Sequence, residues 1–307
     1  MIDASADLMT GAPEHRPPAH GVWQQFRRHK GAVAGAAVFA LTALAVLLGA
    51  AVYGVDPQYL DYLSRNQGFS LAHPMGTDNL GRDTLARVLA GGQISLAVGV
   101  AAMVLSLTLG TFVGVMAGFF RRFDGPLMRF TDLFLALPVL PLLLVTMMLF
   151  RDPLQSALGP EAGIFILIVA VIGITSWMQT ARIVRGQVLA IKQWEYVVAA
   201  RSIGARPLRI ILLHIFPNAL SPIVVAATLG IAQAIITESA LSFLGLGFPS
   251  DFPTWGRLLY DGVPFLTITP ARVIWPGVAI SLTVLSVNYL GDGLRDALDP
   301  HANVGGG

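Results

Sequence analysis

The sequence predicts an all-α, polytopic membrane protein built on six spanning helices. Three observations carry this. Hydrophobic residues make up 54% of the 307 positions and charged residues only 12%, about half the charge of a soluble domain. Mean hydropathy is +0.67. The apolar residues also fall in long unbroken runs, each near the ~20 residues a helix needs to cross a bilayer, with no strand-type alternation to suggest a barrel.

Taken in order, the runs cover about 31–53, 93–120, 127–150, 162–181, 218–246 and 273–291. The first is too long for a signal-peptide core and no cleavage-type sequence follows it. It is therefore expected to stay as the first span, behind a polar, Pro-rich N-terminal segment. Lys and Arg set the orientation. Arg65, Arg82, Arg87, Arg151, Arg257 and Arg272 fall on one side, and every other Lys and Arg on the opposite side. Both termini are thus expected in the cytoplasm, and the basic pI of about 9.1 reads as a topology signal rather than a nucleic-acid footprint. There is no cysteine, which excludes disulfides and thiolate metal sites.

Two connections are long: about 54–92 outside and 182–217 inside. In the inner one, Gln193–Ile203 reads as a short helix, Gly204 as a left-handed cap and Pro207 as a stop. A second helical stretch, Leu208–Phe216, leads to Pro217 and the fifth span. Ala199, Ala200 and Gly204 keep this helix slim. It is either an interfacial helix or a docking element for a soluble partner. In the outer one, His73–Asp83 is dense in turn formers and charge. Asp78 and Asp83 lack the spacing of a calcium loop, and the segment lacks a phosphate-loop ending. It reads as an ordered turn ahead of an interfacial helix, Thr84–Ala90, with Arg82 and Asp83 pairing at the membrane surface.

Within the spans, Asp132 lies three residues after Arg129, a spacing that lets the two neutralise each other. Glu238 falls toward the outer end of the fifth span. A carboxylate there must face protein or water, so it lines a path or braces a helix contact. Pro138, Pro141 and Pro276 are expected to kink their spans.

The inner segment, with Glu195, Ala199, Ala200, Arg201, Gly204 and then His214-Ile-Phe-Pro217-Asn, resembles the EAA loop of ATP-binding-cassette importer permeases, in the version of the dipeptide, oligopeptide and nickel branch. The outer run, with Thr77, Asp78, Gly81, Arg82 and Asp83, is similar to the "GTDxxGRD" stretch of the same branch and continues through Arg87, Gly91, Ser95, Leu96 and Gly99. Thr237–Gly247 and Gly291–Pro300 extend the match, which covers about residues 20–300.

The resemblance implies a type I ABC importer transmembrane fold. Its parts would be 1–92 (N-terminus, first span and external loop), 93–296 (transmembrane domain with the coupling loop 182–217) and 297–307 (tail). It implies half of a peptide path in the bacterial inner membrane. Expected partners are a second homologous permease, two ATPase subunits or domains, an external substrate-binding protein, peptide and lipid. The residues themselves speak against nucleotide chemistry in this chain. Its two lysines, Lys30 and Lys192, are followed by Gly and Gln, whereas a P-loop needs Lys before Ser or Thr. No cofactor is expected here, and ATP and Mg would sit on the partner ATPases. The chain also lacks H-E-x-x-H and G-x-S-x-G, so it is not expected to be an enzyme. Two alternatives remain: import of nickel or another small solute, and a stand-alone secondary transporter, against which the absence of an internal repeat argues.

Overall fold

The computed structural model describes residues 22–298, and among these the regular structure is helical, with one isolated bridge between Thr77 and Asp83. The polar N-terminal segment before Val22 and the tail beyond Leu298, including Pro300, lie outside the described residues. The helices are α1 (Val22–Arg28), α2 (Lys30–Tyr53), α3 (Thr84–Phe119), α4 (Arg121–Ala136), α5 (Val139–Leu158), α6 (Pro160–Ile191), α7 (Glu195–Ser202), α8 (Pro207–Ile210), α9 (Phe216–Phe243), α10 (Trp255–Gly262) and α11 (Ala271–Leu298). Six helical stretches are long and apolar enough to cross a membrane.

Several boundaries differ from the sequence expectation, each for a local reason. The second span does not follow a separate interfacial helix, because Thr84–Phe119 is one helix of 36 residues, about 54 Å long. The third span, expected over 127–150, is broken in two at Leu137–Pro138. Proline has no N–H and pushes its predecessor into extended geometry, and Leu137 has ψ 137°. What precedes the break is amphipathic and charged, so the crossing helix is α5. Pro141 sits in the first turn of α5, where a missing N–H costs nothing. Pro276 lies inside α11, which continues past it. Helix α6 runs ten residues beyond its expected end, which contracts the inner loop of 182–217 to about 192–206. Helix α11 likewise runs to Leu298, past the tail boundary placed after 296.

The core forms where α3, α5, α6 and α9 meet. Val98, Leu143, Met147, Ile164, Ile168, Ile172 and Leu241 are buried together there. The most extensive pairing is α3 on α6, and its cause is a row of glycines at four-residue spacing, Gly110, Gly114 and Gly118. Helices without a solvent-driven hydrophobic effect approach through such small residues. A Cβ at Gly114 would lie 2.7 Å from the Ala181 carbonyl oxygen, and one at Gly118 2.7 Å from Val188 Cβ. This row was readable in the sequence as a G-x3-G-x3-G run. We predict that Gly114→Leu forces the two helices apart, at about 1–3 kcal/mol or more. Thermal unfolding of the purified protein in detergent checks this, with Gly125→Leu, where no atom lies within 4 Å of an added Cβ, expected to be neutral.

Candidate functional site

Three features stand out from the bundle: the loop between α6 and α9, a charged clamp at the opposite end, and a cavity between them.

At the loop, Glu195 opens α7 and Gly204 ends it in left-handed geometry, φ +78°. Eight residues give a rod of about 12 Å. Val197 anchors the rod, fully buried against Val188, Ile191 and Ile210. Ala200 is half-buried against that same cluster, whereas Ala199, Val198, Arg201 and Ile203 are exposed. Arg201 lies over the Phe119 ring. Lys192 donates from Nζ to the Gly118 carbonyl at 3.0 Å, closing the end of α3.

Helix α8 enters α9 through a wider π-helical turn, Ile211–Ile215. Pro217 has no N–H, so an α-helical register would leave the Leu213 carbonyl unpaired. The chain instead closes the turn from Phe216 N–H to the Ile211 carbonyl. Asn218 Nδ2 donates to the His214 carbonyl at 2.6 Å. Wider turns of this kind recur at functional sites.

At the other end, Asp78 is the centre of a buried charge network. Its Oδ2 accepts from Arg82 Nε at 2.7 Å and Arg87 Nη1 at 2.9 Å, and its Oδ1 from the N–H groups of Leu80 and Arg82. Burial pushes the Asp78 carboxyl up, but the Arg82 charge, its hydrogen bonds and the Arg87 charge prevail and hold it below the ordinary carboxylate value. Arg82 therefore pairs with Asp78 and not with Asp83, correcting the expected surface pair. Asp83 caps α3 through Ala86 N–H at 2.8 Å, and its Oδ2 meets Tyr53 Oη at 2.9 Å and His73 Nδ1 at 2.8 Å. Thr77 accepts from Gln67 N–H and donates to the Ser64 carbonyl. Gly81 takes φ +81°, and a Cβ there would come within 1.7 Å of the Asp61 carbonyl oxygen, so only glycine fits. Arg87 also reaches the Ser250 carbonyl, and Arg272 reaches Asn79. The clamp thus ties together the ends of α2, α3, α10 and α11.

Asp132 and Glu238 sit in different settings. Asp132 lies on exposed α4, outside the spans, and its partner is Arg182 at 2.6 Å rather than Arg129. About two turns earlier on α4, Asp124 binds Arg185 with both oxygens, at 2.5 and 2.9 Å. The Arg185 hydrogen bond holds the Asp124 carboxyl below its ordinary value. The local i,i+3 pairing failed because α4 lies against α6, whose arginines reach across. Glu238 is fully buried in a cage of hydroxyls, taking hydrogen bonds from Ser242 at 2.7 Å and Ser95 at 3.1 Å. Ser95 in turn accepts from Trp255 N–H. The carboxyl therefore joins α3, α9 and α10.

Glu238 is not among the residues lining the cavity. That space, about 430 Å³, opens between α3, α4, α5, α6 and α9, within the ~300–1,000 Å³ of small-ligand pockets. Its polar lining comes from Ser106, Thr175, Ser176, Gln179, Thr180, Gln233 and Thr237. Of these, only Thr237 stood out in the sequence, at the start of the Thr237–Gly247 stretch, although Thr175 and Gln179, and Gln233 and Thr237, stand at i and i+4 inside otherwise apolar runs.

Two family descriptions match the chain. Residues 106–304 match the binding-protein-dependent transport system inner membrane component, and residues 18–72 match the N-terminal TM domain of oligopeptide transport permease C. The oligopeptide transport system permease protein OppC of Bacillus subtilis is 39% identical over 90% of this chain and 87% of that protein. The glutathione transport system permease protein GsiD of Escherichia coli O6:K15:H31 is 41% identical over 93% and 91%. A chain of the inward-facing MetNI methionine ABC transporter superposes with TM-score 0.56 at 18% identity, over 70% of this chain and 96% of that one, a likeness of fold.

Proposed function

Because this chain belongs to the binding-protein-dependent inner-membrane permeases, in the branch of oligopeptide permease C, we propose that it forms one half of a path for short peptides. It is a multi-pass inner-membrane transport subunit. The observation that supports the coupling role is α7, a short rod anchored by Val197 and presenting Val198, Ala199 and Ile203 outward. In this reading Glu195, Ala199, Arg201 and Gly204 face a cleft of a cytoplasmic ATPase, and Ala200 holds the rod to its own chain. Pro217 and the π-helical turn carry its movement into α9. A second related permease completes the path, two ATPase subunits or domains hold ATP and Mg, and an external binding protein delivers the peptide. Relatives named for oligopeptides and for glutathione, itself a tripeptide, support a short peptide as cargo.

The orientation has a direct test, since the chain has no native cysteine. Leu208 is 66% exposed on the α8 side and Leu63 95% exposed on the clamp side. Leu208→Cys should react with an impermeant maleimide only from the cytoplasm, and Leu63→Cys only from outside. Labelling of both from the same side would overturn the topology. Co-purification supplies the assembly test: the tagged chain should bring with it a second permease and ATPase subunits. Peptide uptake by the chain alone in proteoliposomes would sink the reading.

A further inference from the structure

The cavity has a feature that its place in the bundle does not require. Among the described residues, those lining it include no Asp, Glu, Lys, Arg or His. Of the charged groups on α4 and α6 nearby, Asp124 pairs with Arg185 and Asp132 with Arg182 across the helices. The lining is polar all the same. Ser106 and Thr180 are more than nine-tenths buried, line the space and have no hydrogen-bond partner among the described residues. Ser176 and Gln179 are likewise unpartnered, and Gln233 reaches only Thr237, at 3.5 Å. Polar groups left open within a membrane span are unfavourable unless water or a ligand meets them. The two glutamines each offer a carbonyl acceptor and an NH2 donor, and each hydroxyl offers both roles. That is the hydrogen-bonding complement of a peptide unit, which has one N–H donor and one C=O acceptor.

We propose that this cavity is a charge-blind passage for peptide backbone. Gln179, Gln233, Ser106, Ser176, Thr180 and Thr237 exchange hydrogen bonds with peptide groups and their water, and the lining favours neither acidic nor basic side chains. The proposal rests on the reading of the chain as a peptide permease and adds how this chain's half of the path treats its cargo: its lining selects no charge, and any such selection belongs to the other subunits.

The test uses the whole transporter in proteoliposomes, with ATP and its binding protein. The probes are three labelled tripeptides, Ala-Asp-Ala, Ala-Gln-Ala and Ala-Lys-Ala. The readout is the ratio of acidic to basic uptake within each variant, divided by the same ratio for the unmodified transporter. This cancels both the preference of the binding protein and the amount of assembled complex. Gln179→Glu should lower the ratio by about tenfold, the effect of like charges meeting at short range in a partly screened space. Gln179→Lys should raise it by a similar factor. Ser106→Ala with Thr180→Val should reduce uptake of all three peptides and leave the ratio unmoved. Peptides imported by the charged variants with an unchanged ratio would overturn the charge-blind lining and leave the peptide reading standing. Failure of the unmodified complex to import any of the three would overturn both.

Discussion

Ala199→Asp is expected to abolish peptide uptake while the chain still inserts and folds. Ala199 is exposed on α7, a slim rod whose neighbours Val198 and Ile203 are also exposed, at 49% and 86%. An apolar face of this kind, at the end of a membrane bundle, matches a dry contact with a partner. A carboxylate placed in such a contact is left without compensation. The half-buried Ala200 is the poorer probe, because Asp there would also disturb packing against Val188 and Val197. Gly204→Val attacks the same rod from its end. With φ +78° and no atom within 4 Å, it meets no clash, and the effect is backbone strain alone, about 1–2 kcal/mol or more for a β-branched residue. Ala199→Ser, small and neutral, should retain transport. The measurements are ATPase co-purification and ATP turnover stimulated by loaded binding protein. Wild-type values for Ala199→Asp in both would remove α7 from the coupling role.

Asp78→Asn should give the largest loss of stability of any single side-chain change at the clamp. It leaves Arg82 and Arg87 buried, at 7% and 2% exposure, without the carboxylate that both share. Breaking a buried pair from one side typically costs about 3–5 kcal/mol. Arg87 would keep the Ser250 carbonyl and the more distant Asp261 oxygen at 3.7 Å, which softens the loss without replacing it. Gly81→Ala should damage the same turn through the Asp61 carbonyl. The pH dependence follows from the sign of the Asp78 shift. Its folded-state pKa lies below the unfolded value. Its contribution is therefore complete above the ordinary carboxylate pKa of about 4 and is lost as pH falls through the lowered folded value. Unfolding followed by near-UV circular dichroism should show a shallower loss of stability below about pH 4 in Asp78→Asn than in the unmodified chain. An equal slope in the two would remove Asp78 as the source.

Motif reading and structure met most closely where one short segment carries its own geometry. Gly204 and Pro207 placed the end of α7 and the start of α8 because a left-handed cap and a fixed proline φ are local properties. At the clamp, an ordered turn was legible from Gly76, Asn79 and Gly81, but its pairing was not. Arg82 chose Asp78 over the adjacent Asp83 because Asp83 was already committed to capping α3 and to Tyr53 and His73, two residues brought from elsewhere. The third span was misplaced because hydropathy averages over Pro138, whereas the backbone cannot.

From the sequence alone came the all-helical class, the number of crossing segments, the expected sidedness and the motifs of an importer permease. The first three follow from composition along the chain, since hydrocarbon demands apolar helices of set length and basic residues resist translocation; the motifs are a resemblance carried by short segments. Only the tertiary structure decided which face of α7 is free, that Glu238 sits in a hydroxyl cage off the cavity, and that Asp124 and Asp132 answer to α6. It also decided that neutral side chains from α3, α6 and α9 converge on one space. Charge pairing and cavity lining depend on distances between helices far apart in the chain. Those distances are set by close packing of small residues such as Gly110, Gly114 and Gly118, a property of two surfaces together that neither segment carries by itself.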